Sequence, residues 1–473
     1  MAVEYDVVVI GGGSGGLVVA SVAAQLKAKV ALVEKDRLGG DCLWYGCVPS
    51  KSLIHAARSA YEVKHAARFG VHTEGVKIDF AQANSHVQKV IAAIEPNDSP
   101  ERFRGLGVEV IFGSGQFLDS KTFVVGNRQL KARAFVIATG SRPSAPPITG
   151  LEEAGYLTNE QVFSLQELPE SLAIIGAGPI GCELGQSFHR LGAEVTIIAS
   201  RQHILHKEDP EAAEVVERQL ESEGIRILKA SRAEKVEVIE GKKCVIAGDE
   251  KVLVEEILVA AGRAPNVETL NLEAAGVKYD KKGIKVNEKL QTSNNRIYAC
   301  GDVIGGYQFT HVAGYEGGVA ATNALFLPFS KANYEVIPWA TFTDPELARV
   351  GLTEEQARKR YGDDIYINKQ EFADVDRAQA EGATAGFCKI ITKGNGEILG
   401  AHIVGASAGE LIHEVVLAMA NKLKVSALKG IHIYPTLTEV NAKAALKLTK
   451  QKYAKNERLQ GILQKLFNFL RSF

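Results

Sequence analysis

Two cysteines, Cys42 and Cys47, stand in C-x4-C spacing at the start of a helical pattern, within the run GGDCLWYGCVPSK. On an ideal helix, residues five apart have α-carbons roughly 8.6 Å apart, beyond the roughly 7 Å within which a disulfide closes. A bond between them needs a distorted first turn, and Gly46 and Pro49 are residue types that permit one. A zinc site needs two more ligands at regular spacing, and neither a CxxC nor a nearby His pair supplies them. Thiol redox chemistry is the reading these residues favour, with a pair of free structural thiols as the alternative.

Two glycine-rich turns carry the second chemical signal. YDVVVI runs into GGGSGG, then into an Ala-rich apolar stretch, then into KVALVE, which reads as strand, turn, helix, strand. Gly11, Gly13 and Gly16 have GxGxxG spacing, and Glu34 closes the second strand about 20 residues on. A second copy, SLAIIGAGPIGCELGQSFHRLGAEVTII, places Gly176, Gly178 and Gly181 in the same setting. The first glycine of each set permits the tight turn, the second lets backbone amides approach a pyrophosphate, and the helix N-terminus supplies positive potential. Two dinucleotides are therefore expected. After the second strand of the second copy, where NAD-specific folds place an acid, the chain has Ala199, Ser200 and Arg201. Arg201 can pair with a 2'-phosphate, so NADPH is expected rather than NADH.

The elements that position these groups form an α/β chain. At about 150 residues per domain, 473 residues make roughly three. SRPSAPPITG reads as a linker out of the first unit, LVAAGRAPN closes the second, and from about residue 330 the character changes. IPWATFTDPELARVGLT then opens a third unit without a Gly-rich loop, with alternating segments at 385–391 and 398–404 and a helix from Gly409. With 55 basic and 56 acidic residues the net charge is −1, which leaves no cation excess for a phosphate backbone and excludes nucleic acid as the main partner. Six cysteines are too few for a secreted disulfide framework, so a reducing, cytoplasmic setting is expected. The uncharged run from Val7 to Leu26 follows acids Glu4 and Asp6 and is broken by glycines, unlike a signal peptide or a membrane span. In the tail, Leu459, Ile462, Leu463, Leu466, Phe467, Leu470 and Phe473 make an apolar stripe flanked by basic residues. That stripe fits docking on a second copy of the chain or peripheral contact with an anionic membrane.

GGDCLWYGCVPSK resembles the redox-active segment of the class I flavoprotein disulfide reductases, which include glutathione reductase, dihydrolipoamide dehydrogenase and mercuric reductase. ATGSRP (138–143), GAGPIGCE (176–183), AAGRAPN (260–266), YACGDV (298–303) and PTLTE (435–439) follow in family order, so the resemblance spans nearly the whole chain. It implies two Rossmann-like dinucleotide-binding domains plus an α+β C-terminal dimerisation domain: FAD-binding 1–149, NAD(P)-binding 150–282, a central segment 283–330 completing the FAD site, dimerisation 331–455, and an amphipathic helix 456–473. It implies FAD on Gly11, Gly13, Gly16 and Glu34, with Asp302 on the ribityl chain and Thr139 and Gly140 lining the site. Gly40, Asp41, Gly115, Thr310, Gly262 and Arg263 join the implied cofactor contacts. A Cys42–Cys47 redox-active disulfide is likewise implied, with Cys47 against the flavin as the charge-transfer thiol and Cys42 attacking the substrate. Lys51 and Glu183 resemble the family's ion pair beside the flavin. The implied reaction takes a hydride from the nicotinamide to FAD, then electrons to the disulfide and on to an acceptor, in a homodimer whose active sites are shared across the interface.

Several positions depart from the pattern. Asp41 stands where Thr is common, and Trp44 with Tyr45 replaces smaller residues. Thiol-disulfide members carry His before the Pro of HPTxxE, whereas Tyr434 precedes Pro435 here; His432, two residues earlier and so on the same side of an extended segment, is the one candidate to transfer the proton instead. Glu439 matches the family's His-orienting acid and is expected to accept a hydrogen bond from Tyr434. A phenol near 10 is a poorer proton reservoir than an imidazole near 6.5, so acceptors needing little proton management, such as metal ions or quinones, are expected to outpace small disulfides. GPIGCELGQ and HKEDP look closest to the mercuric-reductase branch, although its C-terminal Cys pair is missing. Dihydrolipoamide dehydrogenase-like and mercuric ion reductase activities are the named alternatives, and a binding or assembly protein with a vestigial redox centre is the alternative of another class.

Overall fold

The computed structural model describes residues 3–472, so Phe473 of the tail stripe lies outside the described residues. The chain forms two compact units, one made of residues 1–200 and 231–333 and the other of residues 201–230 and 334–473.

The first unit is built on a parallel sheet. Strand Tyr5–Ile10 lies between Val30–Glu34 and Arg128–Ile137, with Glu109–Phe112 beyond the former and Ile297–Ala299 beyond the latter. Strands Thr122–Val125 and Gly115–Asp119 extend the sheet antiparallel. The central strands read VVVI and ALV, near-continuous apolar runs, because both faces are covered. One face packs against helices Ser14–Gln25 and Thr310–Leu325 through Leu17, Ala20, Val319 and Ala320, all buried. A second parallel set repeats the pattern: Glu194–Ile198, Ser171–Ile175 and Glu256–Val259, with helix Pro179–Leu191 following the glycine turn. The two turns are built alike. Gly11 and Gly176 have φ of +105° and +118°, and a Cβ on either would stand 2.4 or 2.5 Å from a backbone carbonyl oxygen, of Ala138 and Ala260 respectively. The expected strand-turn-helix units are therefore present twice.

The second unit carries a five-stranded antiparallel sheet in the order Pro338–Thr341, Glu346–Gly351, Ile398–Gly405, Phe387–Lys393, Ile365–Glu371. Helices Ala408–Ala420 and Glu439–Ala454 bury Leu411, Val415, Val440 and Ala444 in one core with strand residues Val350, Ile390, Ala401 and Ile403. The alternation read at 385–391 and 398–404 and the helix expected from Gly409 correspond to elements of this unit. The tail forms a helix, Glu457–Leu470, capped by Asn456, whose side chain accepts from the amide of Leu459 at 2.9 Å. None of its residues is buried. Among the described residues no helix is long and apolar enough to cross a membrane.

Candidate active site

The two cysteines sit on two helices rather than one. Cys42 belongs to the short helix Gly40–Trp44, and Cys47 is the first residue of Cys47–Lys64. Between them Tyr45 and Gly46 leave helical geometry, Gly46 with φ −121° and ψ −115°, which is the distortion the sequence required for the thiols to meet. The pair is present as free thiols, and their sulfurs are hydrogen-bonded to each other. The bond from Cys42 is the largest influence holding the Cys47 thiol down to about 6, helped by the Thr310 hydroxyl and the Lys51 ammonium. The Thr310 oxygen lies 3.4 Å from the Cys47 sulfur. The position of Cys47 at a helix N-terminus favours its thiolate as well. Cys42 moves the other way, pushed well above its ordinary value by its hydrogen bond to Cys47 and then by burial, so it gives up its proton last.

Lys51, one turn along the same helix, donates to Glu183 at 2.8 Å. Glu183 comes from the helix behind the second glycine turn and is buried, while the lysine is about a third exposed. The ion pair expected from the motif is in place.

Behind the cysteines lies a polar network. Asp302 accepts from the Ser141 hydroxyl at 2.6 Å, Ser141 accepts from Arg263 Nε at 2.7 Å, and Arg263 Nη2 stands 3.3 Å from Asp41. Burial pushes the Asp302 carboxyl up, against the pull of Ser141 and Arg263. Asn159 donates to Asp41 at 3.2 Å and to the Tyr45 carbonyl at 3.0 Å, tying the Asp41 carboxylate to the break between the two helices. Thr139 and Gly140 are stitched to Asn266: the Thr139 hydroxyl donates to the Asn266 carbonyl at 2.7 Å, and the Asn266 amide donates to the Gly140 carbonyl at 3.0 Å. ATGSRP and AAGRAPN are thus one antiparallel pair, Arg263 opposite Pro143 and Pro265 opposite Ser141, which also places Gly262 beside this network. Gly115 begins an antiparallel strand.

Trp44 and Tyr45 flank Arg37. Its guanidinium lies 4.0 Å from the Trp44 ring centre and donates to the Tyr45 hydroxyl at 2.5 Å. The indole N–H donates to the Leu38 carbonyl at 2.7 Å.

In the second unit Tyr434 is exposed and donates to Asp376 at 2.8 Å, so the expected bond to Glu439 is not made. Glu439 is the first residue of its helix, and one of its carboxylate oxygens is buried with no hydrogen-bond partner. His432 turns away from Tyr434: Nδ1 lies 2.7 Å from the Gly430 carbonyl and Nε2 3.4 Å from Glu414. Two-residue spacing put these rings on one side of an extended chain, but separate partners draw them apart. Ser141, Asn159, Arg37 and Asp376 were not foreseen. Ser141 stood inside a quoted motif and was legible there, whereas Asp376, 58 positions from Tyr434, gave no local signal.

The turns suit the dinucleotides. Helices Ser14–Gln25 and Pro179–Leu191 begin at glycine N-caps with no capping side chain and no acid in the first turn, so their leading N–H groups are available to a pyrophosphate. The Glu34 carboxylate accepts from the Gly12 amide at 2.7 Å, at the mouth of the first turn. A Cβ on Gly40 would come within 2.7 Å of the Gly13 α-carbon, so side chains there would close the cradle. At Gly178 a Cβ would meet no atom within 4 Å, leaving an open approach to the second turn. Ser200 and Arg201 are exposed.

The chain is similar to known proteins over nearly its whole length. Residues 5–317 match the model of the pyridine nucleotide-disulphide oxidoreductases and residues 337–445 that family's dimerisation domain. A mercuric reductase of Staphylococcus aureus is 38% identical over 94% of this chain and 83% of its own length. A dihydrolipoyl dehydrogenase of Chlamydia pneumoniae is 36% identical over 95% of this chain and 98% of its own. The Cu(II) complex of the HOCl-induced flavoprotein disulfide reductase RclA from Escherichia coli superposes with a TM-score of 0.85 at 28% identity, covering 94% of this chain and 99% of that one. With both domains of the family and its paired thiols, the chain belongs to the pyridine nucleotide-disulphide oxidoreductases, homodimeric FAD-dependent enzymes that draw electrons from NAD(P)H.

Proposed function

We propose that this enzyme uses NADPH and passes electrons through the Cys42–Cys47 pair to an acceptor that takes them with little proton handling, a metal ion. The observation that carries the reading is Tyr434: a phenol bonded to Asp376 stands where thiol-disulfide members carry an imidazole. FAD, when bound, supplies the two-electron relay between a nicotinamide hydride and a disulfide. Gly11, Gly13, Gly16, Glu34 and Asp302 hold it, and Lys51, kept in place by Glu183, sets a cation beside it. Gly176, Gly178 and Gly181 take the nicotinamide nucleotide, with Arg201 on its 2'-phosphate.

Two electrons and one proton open the S–S bond of the oxidised pair, and Cys47 is left as thiolate while Cys42 takes up the proton. Cys42 is the thiol that meets the acceptor. When two electrons leave the pair the S–S bond re-forms and the remaining proton is released. A metal ion accepts those electrons with no proton, whereas a quinone takes up two protons on its way to the hydroquinone and a disulfide acceptor must be protonated as its own S–S bond opens. Tyr434 of one protomer faces this chemistry in the other, and its phenol serves poorly as the proton source. The domain division is read as FAD-binding 1–149 with 283–330, nucleotide-binding 150–282 and dimerisation 331–455, in a cytoplasmic homodimer. Neither the fold nor the relatives support the membrane contact considered for the tail.

A single preparation assayed for NADPH oxidation against cupric and mercuric ions, a benzoquinone, lipoamide and glutathione disulfide tests the reading. Faster turnover of a metal ion than of either disulfide is expected. Faster turnover of either disulfide overturns it.

A further inference from the structure

One rung of the five-stranded sheet differs from the rest. Trp339, Arg349, His402, Lys389 and Lys369 are successive register partners across all five strands, so their side chains share one face. Their chain neighbours, among them Val350, Ile390 and Ile403, point to the opposite, apolar face. A row of three cations and a histidine inside a folded unit needs acids, and residues 207–211 supply them. Glu208 accepts from the Trp339 indole N–H at 2.8 Å, and Asp209 accepts from the Lys389 ammonium at 2.9 Å. Glu211 lies 2.7 Å from the same ammonium and also pairs with Lys369. Arg349 donates to the Lys207 carbonyl at 2.8 Å. Asp209 is the N-cap of helix Pro210–Glu223 as well, accepting from the Ala212 amide.

Lys389 and Asp209 are 3% and 2% exposed as side chains. Charges taken so far out of water are tolerated only in closely fitted geometry, so the rung accepts residues 207–211 in one register. Those residues continue a stretch that begins at Arg201, seven positions before Glu208, and residues 201–230 pack with this sheet as one compact unit.

We propose that Lys389 and Asp209 are positioning residues for the nicotinamide nucleotide: their ion pair fixes the backbone between Arg201 and Glu211 and thereby aims the Arg201 guanidinium at the 2'-phosphate. The proposal rests on the reading of Arg201 given above.

The test uses the full-length holoenzyme. Lys389→Met is expected to raise the KM for NADPH about tenfold, the cost of a loosened Arg201 contact, with kcat at saturating NADPH within about twofold and re-oxidation of photoreduced enzyme by the acceptor unaltered. Lys389→Arg restores the KM, which a general loss of stability would not allow. Lys369→Met, at the partly exposed end of the rung, is expected to show a smaller rise and serves if Lys389→Met does not fold. Unchanged KM in the folded variants overturns the proposal. Arg201→Ala separates the two readings: if it leaves the KM for NADPH and NADH untouched, the assignment of Arg201 fails, and if it raises the KM for NADPH while the rung variants do not, the anchoring role alone fails.

Discussion

The hydroxyl of Tyr434 donates to a carboxylate oxygen of Asp376 at 2.8 Å, across 58 positions of sequence. The carboxylate raises the phenol's pKa by stabilising the protonated form. Tyr434 is thereby held as a donor whose proton is already committed. Asp376→Asn is expected to lower that pKa. In an alkaline titration followed by tyrosinate absorbance, one of the 13 tyrosines should ionise at lower pH, and the shift should vanish in the Tyr434→Phe background.

Replacing the phenol with an imidazole supplies what disulfide exchange lacks. Tyr434→His is expected to raise glutathione disulfide or lipoamide turnover by about tenfold or more, the lower part of the range for general acid-base catalysis. Glu439, with its buried oxygen lacking a partner, is then available to orient the ring. Unaltered disulfide turnover in a folded variant would count against an acid-base role at this position.

Alkylation of the reduced enzyme by iodoacetamide should follow the Cys47 thiolate, with a midpoint near the value of about 6 set chiefly by the bond from Cys42. Cys42→Ala removes that cause, and the midpoint should rise. Lys51→Met should raise it by less, because the ammonium is a smaller contributor. Cys47→Ser should abolish the low-pH reactivity altogether.

Lys51→Met also leaves the buried Glu183 carboxylate without its cation. A stability loss of about 2 kcal/mol is expected from the lost charge-assisted hydrogen bond, read as a lower denaturant midpoint. Flavin reduction by NADPH in stopped flow should slow by about tenfold as the neighbouring cation is lost.

His402 gives the protein an acid limit. Burial, with Arg349 and Lys389 nearby, lowers its pKa to about 4 in the folded state, whereas an unfolded chain restores about 6.5. The unfolded state therefore binds an extra proton between those values, and stability present above about pH 6.5 is lost as the pH falls towards 4, by as much as about 3 kcal/mol. Melting temperatures between pH 7.5 and 4.5 should fall more steeply for the native protein than for His402→Gln.

The sequence by itself determined the chemistry that depends on short spacing. GxGxxG forces a turn whose first and last glycines no side chain can replace, and the turn fixes where a helix N-terminus points, so Gly11 to Glu34 and Gly176 to Gly181 announced two dinucleotide folds. Cys42, Cys47 and Lys51 lie within ten residues on adjoining helices, and their relation was legible for the same reason. The tertiary structure alone decided the partners of groups far apart in the chain. Asp302 meets Ser141 and Arg263, Tyr434 meets Asp376 rather than Glu439, and Lys389 meets Asp209 from 180 positions away. Local spacing constrains a side chain only within a turn or along a strand. Which carboxylate reaches a distant lysine or phenol depends on strand register and on which face of a sheet each side chain occupies, and those are settled when the sheets assemble.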